Sequence, residues 1–215
     1  MNIQTFQGGF DKNLSYVVWC EKTRIAAIID ASVEINPIIE FINNKNLILS
    51  KILITHTHHD HIYYLKDLIE LYPTVNIYCY KNAINMNINF KGLTNNEMIA
   101  IGNQIIIAIY TPGHYADSMC FWNQNIRCIF TGDTLFVTRP GRTISPQSDI
   151  HDLYKSLYNK IFTLPENTTI YPGHHYGHVQ NISLKNNKIT SKFFNCKSFQ
   201  EFNQEMIKFE KNKKK

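Results

Sequence analysis

Residues 55–61 read Thr-His-Thr-His-His-Asp-His, placing four imidazoles and one carboxylate in seven positions directly after the apolar run Lys51-Ile-Leu-Ile-Thr55. Imidazole nitrogen and ionised carboxylate are the ligands that borderline cations such as zinc or iron accept. Side chains two apart on an extended chain point the same way, so His56 and His58 can grip one cation together. Once the chain turns after His58, Asp60 and His61 face elsewhere and can serve a second cation beside the first. A solvated His-rich loop, which binds metal only weakly, is the competing reading. Four of the chain's nine histidines packed into six residues behind a strand-like segment argue for the metal.

A chain of 215 residues with 44% apolar composition can bury one substantial core. No Gly/Ser-rich or Pro-rich linker, fixed-period repeat or composition break divides it, so one domain is expected over residues 1–209, followed by a basic C-terminal tail at 210–215. The net charge of +5 comes largely from that end, where Lys208, Lys211, Lys213, Lys214 and Lys215 face only Glu210. Lysines at a frayed end without aromatic interleaving read as a solubilising terminus, so no nucleic-acid partner is expected. Cys20, Cys79, Cys120, Cys128 and Cys196 are scattered and include no Cys-x-x-Cys pair, which points to a reducing compartment. With no secretory signal or bilayer-length apolar run evident, a cytoplasmic protein acting on a small molecule away from membranes is expected. A homodimer is left open.

Apolar runs at Leu14 to Cys20 and Ile25 to Asp30, separated by Glu21-Lys-Thr-Arg24, predict a hairpin. Ile35, Ile38, Ile39 and Ile42 have helical spacing, Ile52 to Thr55 reads as a strand, and Leu65, Leu68, Ile69 and Tyr72 predict a helix closed by Pro73. Strands follow at Val75 to Tyr80 and Gln104 to Thr111 with an Asn-rich connection between them. A second hairpin joins Met119 to Trp122 with Cys128 to Phe130. A helix opened by Asp149, a short strand at Thr168 to Tyr171 and a terminal helix over Ser198 to Phe209 complete the pattern. Strands in two groups, each followed by helices, suggest two packed sheets with helices outside.

Three further segments put one ligand type just past a strand with glycine alongside: Thr111-Pro-Gly-His114, Thr131-Gly-Asp133 and Tyr171-Pro-Gly-His174. A single Pro-Gly-His is an ordinary turn. Three such placements behind a His-x-His-x-Asp-His cluster are a pattern, and with it the sequence resembles the metallo-β-lactamase-fold superfamily, within it the glyoxalase II and persulfide dioxygenase branch. The likeness starts at Gly9-Phe-Asp-Lys-Asn-Leu-Ser-Tyr16 and runs through Gly132-Asp-Thr-Leu-Phe136, Gly141-Arg-Thr143 and Lys160-Ile-Phe-Thr-Leu-Pro165 to Tyr171-Pro-Gly-His-His-Tyr-Gly177.

The resemblance implies an α+β fold, a four-layer αββα sandwich with the metal site at one edge of the two sheets. By matched position, His56, His58 and His114 would hold one metal, Asp60, His61 and His174 a second, and Asp133 would bridge them, with Asp60 and Asp133 taken as the catalytic carboxylates. Two divalent ions, zinc first, that share a water generate a bridging hydroxide able to attack a thioester carbonyl. The implied activity is that of a hydroxyacylglutathione hydrolase, with Arg142 and Tyr176 as substrate-binding residues: a guanidinium suits a carboxylate, and a phenol can donate to the reacting group. His59 and His175 are expected to be neighbours of the site. Departures include Ile62-Tyr63-Tyr64 after the cluster, Tyr115-Ala-Asp117, Ile144 and a C-terminal part shorter than that of glyoxalase II enzymes. The rival reading is a persulfide dioxygenase with one ferrous iron on His56, His114 and Asp133. A lactonase and a non-catalytic, metal-stabilised interaction protein are further alternatives.

Overall fold

The computed structural model describes residues 1–211. Twelve strands are found there: β1 (Asn2–Gly8), β2 (Asn13–Trp19), β3 (Ile25–Ile29), β4 (Ile48–Leu53), β5 (Asn76–Tyr80), β6 (Lys91–Leu93), β7 (Glu97–Ile101), β8 (Gln104–Tyr110), β9 (Met119–Asn123), β10 (Cys128–Gly132), β11 (Thr169–Pro172) and β12 (Ile182–Ser183). The helices are α1 (Ile35–Asn44), α2 (His59–Ile62), α3 (Leu65–Leu71), α4 (Ile150–Asn159), α5 (Leu184–Thr190) and α6 (Phe199–Lys211). Strands β1 to β6 form one six-stranded sheet in sequence order, and β7 to β12 form a second, again in sequence order.

Strand alternation explains why the sheets have apolar residues on both faces. Tyr16, Val18, Ala27 and Ile29 point inward and meet Ala108, Phe121 and Phe130 of the other sheet in a central core. The intervening Val17, Trp19, Ala26 and Ile28 point outward and are covered by Ile38 and Ile42 of α1 and Leu65 and Leu68 of α3. On the second sheet Ile109, Cys120 and Ile129 point outward against Leu153 and Leu157 of α4, Leu184 of α5, and Phe202 and Met206 of α6. Three apolar layers between four layers of secondary structure make the αββα sandwich expected from the sequence.

Both predicted hairpins form, β2 with β3 and β9 with β10. The Asn-rich connection hides two strands, β6 and β7, and β1, β12 and α5 were also unforeseen. These are short or lie towards a sheet edge, where half-exposed polar positions dilute the strand pattern. The terminal helix runs on through Lys211, two residues into the expected tail; positions 212–215 lie outside the described residues.

Direction matters more for the site than element count. Strands β3 and β4 run parallel, β10 and β11 run parallel, and β8 is brought into line with β10 through two antiparallel steps by way of β9. The carboxyl ends of these strands therefore open on one edge, where functional residues of such sheets concentrate. No described helix is long and apolar enough to cross a membrane. Phe121, fully buried between the sheets, is the natural probe of the central core. Phe121→Ala should destabilise the protein by about 3–5 kcal/mol, measured by urea denaturation.

Candidate metal centre

Each candidate ligand sits at a strand end for a local reason. After β4 the chain bends at Thr55 and reaches His58, extended with ψ of 143° before the turn of α2; the His56 and His58 rings meet at 3.0 Å while Asp60 and His61 are carried round on α2. His114 follows Gly113, whose φ of 139° suits glycine; a Cβ there would also collide with the backbone of Leu153. Asp133 leaves β10 and His174 leaves β11 past Gly173, where a Cβ would meet both Asp133 and the His61 ring.

The result is convergence. His56, His58 and His114 form one group of donor atoms within 4.8 Å of one another; His56, His61 and Asp133 form another, and Asp60, His61 and His174 a third. His58 Nδ1 is 3.0 Å from His56 Nε2 and 3.0 Å from His114 Nε2. His61 Nε2 is 3.3 Å from His174 Nε2 and 3.2 Å from Asp133 Oδ1. Asp133 Oδ2 lies 3.5 Å from His114 Nε2 and 3.5 Å from His174 Nε2, so this carboxylate stands between the two histidine groups.

The hydrogen bonds behind the rings decide which nitrogens face inward. His114 Nδ1 donates to the Arg142 carbonyl at 2.8 Å, and His174 Nδ1 to the Asp11 carbonyl at 2.8 Å. His61 Nδ1 donates to Asp30 Oδ2 at 2.8 Å. Asp30 Oδ2 also accepts from the Thr55 hydroxyl at 2.7 Å, which leaves the Thr55 oxygen to accept from His56 Nδ1 at 3.2 Å. A ring that spends its Nδ1 proton outward presents a bare Nε2 inward. Four imidazoles thus aim their Nε2 atoms at a common space, where a cation could collect them. Asp60 is oriented likewise, with Oδ2 accepting from Asn13 Nδ2 at 2.9 Å.

Electrostatics separates the two groups. Burial, reinforced by neighbouring imidazoles, pushes His58 down to about 4 and lowers His56 and His114 as well, so these three are neutral donors near pH 7. Burial opposes charge on His174 too, yet Asp133 and Asp60 beside it carry its pKa up to about 9, and Asp133 and Asp30 raise His61. Burial would raise Asp60 and Asp133; the adjacent His174 and His61 outweigh it and hold both below the carboxylate range. Among protein groups alone, protons on His61 and His174 thus stand where a cation would neutralise the carboxylates. Asp133 Oδ1, buried and 3.2 Å from His61 Nε2, meets no full hydrogen-bond geometry among the described residues. Neutral imidazoles beside paired carboxylates, with an incompletely satisfied oxygen between them, fit a divalent cation.

All seven predicted ligands therefore meet. Arg142 lines the cleft of about 200 Å³ that opens on His58, His114 and Asp133, as does Tyr176. The Tyr176 ring lies flat on His174 at 4.8 Å and its hydroxyl donates to Asp11 Oδ2 at 2.6 Å. His59 is exposed against Phe10 and Tyr63, and His175 bonds Gln7, so neither joins the cluster. Sequence reading missed Asp30, Asn13 and Asp117, whose carboxylate fixes Thr57 through its backbone N–H and its hydroxyl. Asp30 carried a usable signal, since it ends an apolar strand as Asp133 does.

Residues 8–174 match the metallo-beta-lactamase superfamily, and the chain belongs to that superfamily. It is 34% identical over 173 residues to the probable hydroxyacylglutathione hydrolase glo2 of Schizosaccharomyces pombe, covering 78% of this chain and 66% of that one. It is 39% identical over 140 residues to the hydroxyacylglutathione hydrolase of Francisella tularensis subsp. novicida, covering 64% of this chain and 54% of that one. The chain thus spans just under two thirds of the former and about half of the latter. The crystal structure of ETHE1 from Myxococcus xanthus superposes with a TM-score of 0.87 at 27% identity, covering 96% of this chain and 90% of that one. The site is that of a divalent-metal-binding protein of this superfamily.

Asp30→Ala should leave His61 and Thr55 without their shared acceptor and weaken metal binding roughly 10–100-fold. Competition with a chelator of known affinity measures the loss; unchanged affinity would remove Asp30 from the role of orienting ligand.

Proposed function

We propose that this chain is a metal-dependent thioester hydrolase of the hydroxyacylglutathione hydrolase type. The observation carrying the reading is the pair of adjoining donor groups flanking Asp133, an arrangement suited to two cations sharing one carboxylate. His56, His58 and His114 would hold one divalent ion, Asp60, His61 and His174 the other, and Asp133 both, with zinc the metal that an imidazole and carboxylate set favours. When bound, such ions supply an acidified water and an electrophile for the carbonyl oxygen.

The chain's own residues do the rest. Asp30, Thr55 and the carbonyls of Arg142 and Asp11 keep the imidazoles in their donor tautomers. Asn13 holds Asp60 towards His174. Phe136 and Pro140 line the cleft and would shield the reacting group from water, while the Arg142 guanidinium on the same cleft would receive a substrate carboxylate. A thiolate leaves readily, so no side chain need protonate it.

A second reading, the mononuclear iron persulfide dioxygenase, is favoured by the near full-length match to ETHE1, against partial coverage of the hydrolases. Protein purified without oxygen, assayed for metal by element, for S-lactoylglutathione hydrolysis and for oxygen uptake on glutathione persulfide, separates the two. Two zinc per chain with thioester cleavage supports the hydrolase; one iron with oxygen consumption overturns it. Asp133→Asn, which removes the shared charge, should lower both metal occupancy and turnover strongly, read by metal analysis of the purified variant and by its rate on S-lactoylglutathione. Ordinary turnover in that variant would reject a shared Asp133.

A further inference from the structure

The loop between β10 and α4 carries a second guanidinium that sequence reading passed over. Arg139 lines the same cleft as Arg142, His114 and Asp133. Its Cζ lies 4.0 Å from the centroid of the Tyr176 ring, with the rings of Phe136 at 5.4 Å and Phe209 at 5.5 Å. An arginine caged by three aromatic rings keeps its charge but loses rotamer freedom and hydration, so it is already ordered when a ligand arrives. Its Nε is buried with no hydrogen-bond partner among the described residues, and none of their carboxylates forms an ion pair with it. Asp133 and Asp11 offset its charge only from beyond ion-pair distance while burial and Arg142 oppose it, so a half-buried guanidinium here gains from an anion brought by a ligand.

The backbone holds it there under strain. Thr138, immediately before Arg139, has φ of 68°, the left-handed region that a β-branched residue rarely enters. It is pinned by the buried Asn187 of α5, whose Oδ1 accepts from Thr138 N–H at 2.6 Å and whose Nδ2 donates to the Phe136 carbonyl at 3.0 Å. Ser191 Oγ donates to the Thr138 carbonyl at 2.8 Å. On the other side of the loop, Glu210 of α6 accepts from Thr143 N–H at 2.7 Å and from its hydroxyl at 3.1 Å. Elements α5 and α6 therefore anchor the loop at both ends of the stretch bearing Arg139 and Arg142, so the two cations form a fixed pair on one wall of the cleft.

We propose that Arg139 is a specificity-determining residue that, together with Arg142, receives a carboxylate on the thiol portion of the substrate, selecting glutathione-type thioesters over neutral ones. This rests on the thioester reading above for its assay, though not for its binding test. A planar guanidinium matches a carboxylate, and two of them on one wall favour an anionic ligand over a neutral one of the same shape.

The test uses the zinc-loaded full chain and its Arg139→Gln and Arg139→Lys variants, the first keeping a flat polar group and the second keeping the charge. Binding of S-methylglutathione, which cannot be hydrolysed, is measured by calorimetry at two salt concentrations. Turnover is measured on S-lactoylglutathione, on the neutral thioester S-lactoyl-N-acetylcysteamine and on S-acetyl-phosphopantetheine. Arg139→Gln should weaken S-methylglutathione binding about 10–100-fold, as loss of a charged hydrogen bond implies. It should flatten the salt dependence and raise KM for S-lactoylglutathione with kcat within twofold, leaving the neutral thioester unchanged. Arg139→Lys should recover most of the affinity. An equal loss on the neutral thioester would make Arg139 merely structural, unchanged S-methylglutathione binding would remove it from the site, and a loss confined to the phosphopantetheine substrate would overturn the carboxylate assignment. If the wild-type chain cleaves none of the thioesters, the hydrolase reading fails, while calorimetry alone still decides the role of Arg139.

Discussion

The site depends on Asp30, a buried carboxylate at the end of β3 that no substrate would touch. It accepts from His61 Nδ1, from the Thr55 hydroxyl and from the Thr55 backbone N–H, and through Thr55 it sets the proton on His56. A buried carboxylate is tolerated because these donors satisfy it. In return it turns two imidazoles so that their Nε2 atoms face the shared space. The backbone carbonyls of Arg142 and Asp11 do the same for His114 and His174. The metal-binding property is therefore created one layer away from the metal, by groups whose only work is to hold protons on the outward nitrogens.

That arrangement crowds polar groups at the strand ends. Neutral imidazole nitrogens approach to 3.0 Å in one group, and in the next the carboxylates pair with protonated His61 and His174 among protein atoms alone. The sandwich fixes them because its three apolar layers hold the strand ends, so the donors are already gathered when a cation binds. Metal binding and fold stability are coupled because the donors come together only on folding. The loop bearing Arg139 repeats the logic on a smaller scale, with a strained Thr138 and a caged guanidinium held by α5 and α6.

The candidate donors were legible in the sequence because four of them crowd into the segment after β4 and the other three each stand just past a strand end beside glycine. The αββα layering was legible for a similar reason: continuous apolar runs in β2, β3, β9 and β10 demand cover on both faces. Strands β6, β7 and β12 escaped notice because length and burial, the two sources of a strand signal, are both weak there. Arg139, Asn187 and Glu210 escaped for another reason. Their meaning lies in contacts across some 50 to 70 positions of chain, which no local pattern records.

The sequence by itself determined the inventory: which side chains could bind a cation, their order, and a fold class able to hold them, because strand periodicity and ligand chemistry are local properties. Only the tertiary structure decided which nitrogen of each ring faces inward, that Asp133 stands between the two histidine groups, and that two guanidinia share one wall of the cleft. Those facts depend on hydrogen bonds and packing between segments far apart in the chain, and they come into being only when the two sheets close on each other.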